Sequence, residues 1–239
     1  MIRVSDQERS ESFYRTVLGS LQIEPDRSGG RLAGWGEFLI TQSSGEHPPT
    51  RHLHIGFVAA SRQAVDEFWR AGIDAGYPDD GPPGERPQYS PAYYGAFLLD
   101  PDGNSIEAVH HEDVRRGGHI DHLWVGVSDL ESAARFYRLI APHTGLRPGA
   151  ASDVRAPFRG AWATLSLVAD GRRPTQDLHI AFPAPDRETV ADFHAAATAA
   201  GYRDNGGPGE RLQYQPGYFA AFVLDPDGNN IESVIHEPR

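Results

Sequence analysis

The sequence predicts an α+β protein built from two tandem copies of one domain, each with curved antiparallel sheets flanked by helices. Three observations predict it. Residues 83–110 (PGERPQYSPAYYGAFLLDPDGNSIEAVH) return at 208–236 (PGERLQYQPGYFAAFVLDPDGNNIESVIH), so Glu107 maps onto Glu232, a displacement of 125. HLHIGF at 52–57 meets DLHIAF at 177–182 at the same displacement, and VSDQERSESFYR at 4–15 meets VSDLESAARFYR at 127–138, displaced by 123. A fainter repeat lies inside each copy: 57 residues separate His122 from His179 and Phe136 from Phe193, and 55 separate Phe13 from Phe68. The chain therefore reads as four related modules of strand, helix and three strands.

Each element has its own local reason. IDHLWVGV at 120–127 has the apolar pattern of a strand. Ser128 with Glu131, and Ser5 with Glu8, carry the spacing of a helix-opening capping box. Ala133, Phe136, Tyr137 and Ile140 follow at helical spacing, as do Val65, Phe68 and Trp69 in one second helix and Val190, Phe193 and Ala197 in the other. Strands are expected at Trp162–Val168, Tyr218–Leu224 and Asn230–Ile235, the last two joined by DPDGN, whose Asp-Gly step favours a tight hairpin turn. The polar stretch HEDVRRGG, His111–Gly118, is the expected joint, which makes 1–112 the first domain and 118–239 the second.

Length and composition agree with this division and narrow the chemistry. The 239 residues suffice for two domains that each bury a core. All 22 basic residues are arginine, cysteine is absent, and the only methionine is Met1. A lysine Schiff base, a P-loop, a cysteine nucleophile, a zinc-thiolate site, an iron–sulfur cluster and any disulfide are thereby excluded. A net charge of −11 argues against nucleic acid or an anionic membrane as partner and suits a small, neutral or cationic ligand. No apolar run reaches the ~18 residues of a membrane span. With no leader legible at the N-terminus, the expected location is cytoplasmic.

IDHLWVGVSDLESAARFY, LHIAFPAPDRETVADFHAA and YFAAFVLDPDGNNIESVIH, with LHIGFVAASRQAVDEF and YYGAFLLDPDGNSIEAVHH, give nearly the whole chain a resemblance to the vicinal oxygen chelate superfamily of glyoxalases, bleomycin-resistance proteins and extradiol dioxygenases. The resemblance implies a divalent metal (Mn, Fe, Ni, Co or Zn) at the positions of His122, His179 and Glu232 in the second copy and His54 and Glu107 in the first. Two imidazoles and a carboxylate suit such ions and leave coordination positions open. The counterpart of His122 in the first copy would fall two places before Met1, so that copy offers only two ligands and its first strand is truncated. Some members exchange modules between paired domains, so two groupings stand open: His122, His179 and Glu232, which needs no exchange and is preferred, or His122 with His54 and Glu107. The second glutamate ligand of glyoxalase I has no counterpart in WATLSLVADGRRPTQD, which weakens an isomerase and favours the dioxygenase and transferase branches.

The duplicated PGERxQYxPxY segment supplies candidate substrate-binding residues. Arg86 and Arg211 are suited to clamp an anion, and Tyr89, Tyr93, Tyr214 and Tyr218 to line a pocket for a flat ligand. Glu232 and Glu210 are the candidate catalytic carboxylates, with Glu85 the equivalent of Glu210, while His110 and His236 are expected at the rim and His111 and His119 have no evident role. The expected function is a metal-dependent lyase, isomerase or dioxygenase acting on a small substrate held through vicinal oxygens. The alternative is a binding protein that sequesters an antibiotic or metabolite, and a third is a lapsed duplicate. A homodimer and a monomer with an internal pseudo-dimer are both compatible with the tandem copies.

Overall fold

The computed structural model describes residues 1–112, 117–161 and 163–236. The first module is β1 (Ile2–Val4), α1 (Gln7–Ser20), β2 (Leu32–Trp35) and β3 (Phe38–Gln42). The second is β4 (Leu53–Val58), α2 (Arg62–Asp74), β5 (Asp79–Glu85), β6 (Tyr94–Leu99) and β7 (Ser105–His110). The third is β8 (Ile120–Gly126), α3 (Leu130–Thr144), β9 (Arg147–Pro148), β10 (Arg155–Arg159) and β11 (Thr164–Val168). The fourth is β12 (His179–Pro183), α4 (Arg187–Ala199), β13 (Asp204–Glu210), β14 (Tyr218–Leu224) and β15 (Asn230–His236). The α+β class and the fourfold module are thus present, with one strand fewer in the first module.

Two compact units are formed, one running from Met1 to Val125 with the short segment before Leu165, the other from Gly126 onward. In the first, β1, β3 and β2 make one sheet, and β5, β6, β7, β4 and β8 lie side by side in that order. In the second, β12, β15, β14 and β13 form one sheet, and β11, β10 and β9 adjoin in order. Within a module the first strand runs parallel to the last, β4 beside β7 and β12 beside β15, and the last three strands are antiparallel. The helices pack in pairs inside each unit, α1 on α2 and α3 on α4. Their apolar faces are fully buried at Phe13, Val17, Val65, Phe68, Phe136, Ile140, Val190 and Phe193, each contributing about 1.5–3 kcal/mol through removal from water.

Three local expectations are corrected. The helix caps are Asp6 and Asp129, whose carboxylates accept from the Arg9 and Ser132 amides; the Ser5 and Ser128 amides instead donate to Asp102 and Asp227 of the hairpins. Trp69 is only half-buried, its indole N–H reaching Asp79. The Gly- and Pro-rich DDGPPGE and DNGGPGE, for which no strand is expected, form β5 and β13. Both lie at sheet edges, where the missing proline N–H leaves no ladder bond unmade, and both carry register shifts. The expected strand at Trp162–Val168 begins at Thr164, and Trp162 lies outside the described residues, as do residues 113–116 of the expected joint.

The DPDGN hairpin ties each unit together. The Asp100 carboxylate accepts the Asp102 and Asn104 amides, at 2.9 and 2.8 Å, together with the hydroxyl of Tyr14 from α1 at 2.8 Å. Asn104 in turn accepts from the Leu53 amide at 3.1 Å and donates to the Thr50 carbonyl at 3.1 Å, which fixes where β4 begins. The second unit repeats the pattern with Asp225, Asn229, Tyr137 and Leu178. In both units the residue after the clamped amide is a histidine, His54 or His179.

Candidate metal centre

Strand pairing brings three chemistry-bearing residues onto one surface of the first unit. On one side of β4, Gly56 lies opposite Glu107 of β7; on the other it lies opposite His122 of β8. A Cβ at Gly56 would stand 2.4 Å from Cε1 of His122, and one at Gly95 would stand 2.4 Å from Oε1 of Glu107. These two glycines therefore leave the space that the ring and the carboxylate occupy.

The donor atoms converge. His54 Nε2 is 3.0 Å from Glu107 Oε2 and 3.1 Å from His122 Nε2, and His122 Nε2 is 3.1 Å from Glu107 Oε2. Among the described residues, these three make the one group of three or more potential ligands whose donor atoms all lie within 4.8 Å of one another. Three neighbouring ligands of an octahedral ion with bonds of about 2.1 Å are spaced about 3.0 Å apart, so the triangle fits one face of such an ion. Outer contacts occupy the other ring nitrogens: His54 Nδ1 is 3.1 Å from Ser105 Oγ, which donates to Asp80 at 2.6 Å, and His122 Nδ1 is 2.8 Å from Asp121 Oδ2. Both Nε2 atoms thus face the centre, and the chemistry of the set suits a divalent ion.

The electrostatics of the metal-free cluster follow from crowding. Burial pushes the Glu107 carboxyl up, but hydrogen bonds and charge from His122 and His54 outweigh it and hold the group at about 2. For His122, burial disfavours the charged ring, yet Asp121 and Glu107 raise it to about 9. Two ring nitrogens 3.1 Å apart can bond only if one carries a proton. Tyr93 donates its hydroxyl to Glu107 Oε1 at 2.7 Å; burial and the carboxylate push this phenol far above its ordinary value.

In the second unit, His179 Nε2 meets Glu232 Oε2 at 2.7 Å, and Tyr218 donates to Glu232 Oε1 at 2.6 Å. Ala181 stands where the first unit has Gly56, in the same register opposite the glutamate. The structure therefore groups His122 with His54 and Glu107, the exchanged alternative, rather than the preferred set with His179 and Glu232. The reason is that β8 extends the sheet of the second module beside β4.

The remaining candidates are distributed around these clusters. Arg86 bonds the Glu85 and Pro82 carbonyls and lies over Phe97, whose ring is 5.8 Å from that of His54. Arg211 repeats this with Glu210, Gly207 and Phe222. Tyr89 is 42% exposed and stands edge-on to Trp124 at 5.4 Å; Trp124 is 5.5 Å from His54. Tyr214 is exposed beside Tyr218. Glu210 pairs with Arg187 and Glu85 with Arg62, both on the surface. His110 bonds the Ala59 carbonyl and His236 pairs with Gln215. Sequence reasoning missed Asp121, Trp124 and Gly56, and assigned no part to His111; an aspartate directly before the strand histidine was the one visible signal.

The chain belongs to the Glyoxalase/Bleomycin resistance protein/Dioxygenase superfamily, whose model matches residues 1–108 and 119–233. Among solved structures it is similar to a V278E mutant of glyoxalase I from Zea mays, at 20% identity over 98% of this chain and 90% of that one, with a TM-score of 0.69. It is also similar to a putative dioxygenase from Bacillus subtilis, at 16% identity over 99% and 83% of the chains, with a TM-score of 0.64. At such identities the likeness establishes the fold. No curated protein matches the chain. Among the described residues no helix is long and apolar enough to cross a membrane.

Proposed function

We propose that this protein is a divalent-metal enzyme that binds a small substrate through two adjacent oxygens, with His54, Glu107 and His122 as the metal ligands. The observation that carries the proposal is the triangle of donor atoms with sides of 3.0–3.1 Å. A divalent ion (Mn, Fe, Ni, Co or Zn) held there supplies Lewis acidity to the substrate oxygens. The chain's own residues do the rest. Trp124 and Tyr89 offer aromatic surface beside His54 for a flat substrate, and Arg86, over Phe97, supplies positive charge at the same side. Tyr93 we assign to holding Glu107 rather than to substrate, since its hydroxyl is committed to that carboxylate. His179, Glu232 and Tyr218 we read as a half-site, because the Ala181 methyl fills the position that Gly56 leaves open. Domain limits of 1–112 and 118–239 remain our division of the sequence, with β8 contributed by the second copy to the centre in the first unit.

Metal analysis of the purified protein tests the proposal. One divalent ion per chain is expected, lost in His54→Ala and His122→Ala and kept in His179→Ala. Loss in His179→Ala with retention in His54→Ala overturns the ligand set. A protein that takes up no metal yet binds an aromatic antibiotic tightly favours the sequestering alternative.

A further inference from the structure

Strand β8 contains an irregularity that the ligand set alone does not explain. Gly56 of β4 faces His122, but the next residue, Phe57, faces Ile120, so Asp121 is the extra residue of a bulge. Consecutive strand side chains ordinarily point to opposite faces, and a bulge re-aims them. Here Asp121 is brought alongside His122: Oδ2 lies 2.8 Å from His122 Nδ1, while Oδ1 lies 3.0 Å from Nε2 of His111. Asp121 and His122 are both buried, and His111 is largely so. The ring of His111 lies parallel to that of Tyr93, at 6° and 5.7 Å between centroids, and Tyr93 closes the circuit on Glu107.

We infer that Asp121, held in place by His111 on the bulge of β8, is the positioning residue of the metal centre. It keeps His122 in the tautomer with the proton on Nδ1, so that Nε2 is the donor presented to the ion. The inference rests on the proposed ligand set. A carboxylate behind a ligating imidazole both orients the ring and raises its donor strength, and loss of such a partner typically weakens metal binding by 10–100-fold. The same chain contains its own contrast. His236, which occupies the place of His111 in the second copy, pairs with Gln215 and meets Tyr218 edge-on at 88°.

Cobalt(II) titration of the full-length protein, followed by visible absorption, tests this. Asp121→Ala is expected to weaken cobalt binding by about 10–100-fold and to shift the ligand-field bands. Asp121→Asn, of the same shape and uncharged, is expected to weaken it less, and it carries the test if the alanine variant does not fold. His111→Ala is expected to fall between the wild type and Asp121→Ala, and His236→Ala to match the wild type. In the zinc-loaded protein, the Nδ1 proton of His122 is expected as a slowly exchanging downfield NMR signal that Asp121→Ala abolishes. Wild-type affinity, bands and proton signal in a folded Asp121 variant overturn the inference while leaving the ligand set intact. A wild-type protein that takes up neither cobalt nor zinc overturns the ligand set and this inference with it.

Discussion

At the scale of single residues, a carboxylate is placed in the interior only where donors surround it. Glu107 is 1% exposed; its Oε1 accepts from Tyr93 and its Oε2 lies 3.0 and 3.1 Å from the ring nitrogens of His54 and His122, so its burial is compensated on both oxygens. The metal-free cluster has a definite pH signature. The His122 pKa is raised from 6.5 to about 9, so its paired, protonated form contributes stability fully below pH 6.5, lost as pH rises through 9. The Glu107 pKa is lowered from 4.5 to about 2, so its contribution is complete above pH 4.5 and lost as pH falls through 2. Urea unfolding of the metal-free protein should therefore show a loss of stability between pH 6.5 and 9 that His122→Gln removes; a profile unchanged by that substitution would count against the pairing. Metal uptake should run the other way, tightening as pH rises toward 9, because the ion displaces the proton of His122.

Gly56 offers a second test at this scale. Its absent Cβ is the space of the His122 ring, and Gly56→Ala would press a methyl group to 2.4 Å from Cε1. The ring must then leave its place against Glu107 and Asp121. A cobalt affinity at least about tenfold weaker is expected, with helix content unchanged by circular dichroism. Equal affinity would mean that the ring finds another route to the ion.

At the scale of elements, the DPDGN hairpins act as clamps on the strands that carry histidine. Asn104→Ala removes the acceptor of the Leu53 amide and the donor to Thr50, both buried, and should cost about 1–3 kcal/mol in chemical denaturation. Because His54 follows Leu53, cobalt binding should weaken as well. Asn229→Ala should cost a similar amount of stability in the second unit without changing cobalt affinity, since its clamp precedes His179. Equal loss of affinity in both variants would argue against the assignment of the centre to the first unit.

The elements also mark how far local signals reach. Helical spacing located the buried faces of α2, α3 and α4, and the DPDGN hairpins stand where the Asp-Gly step places them. The caps moved by one residue because aspartate follows serine at both helix starts and its carboxylate accepts the Arg9 and Ser132 amides, while the serine amides are taken by the hairpin carboxylates. Strands β5 and β13 were hidden because glycine and proline carry no strand signal of their own; partners along β6 and β14 hold them in extended form.

At the scale of the whole molecule, the two copies have diverged in what they can hold. The first unit offers three donors, and the second has Ala181 where a third ligand's ring would need room. Chelator treatment and reloading should accordingly produce one thermal shift rather than two. At an ion concentration about 100 times its Kd, binding stabilises by about 2.7 kcal/mol, or roughly 5–10 °C for a chain of this size. The shift should vanish in His54→Ala and persist in His179→Ala, as read by calorimetry.

Duplication, module order, helical faces and the exclusion of lysine and cysteine chemistry were determined by the sequence alone, because repeats, spacing and absences are properties of the linear chain. The identity of the three residues that meet was decided by tertiary structure. His122 is 57 residues from His179 and 68 from His54, and no local pattern states which strand lies beside β4. That follows from hydrogen bonding along a strand edge, which closes only when β8 pairs with β4 and carries His122, and Asp121 on its bulge, to the space that Gly56 leaves open.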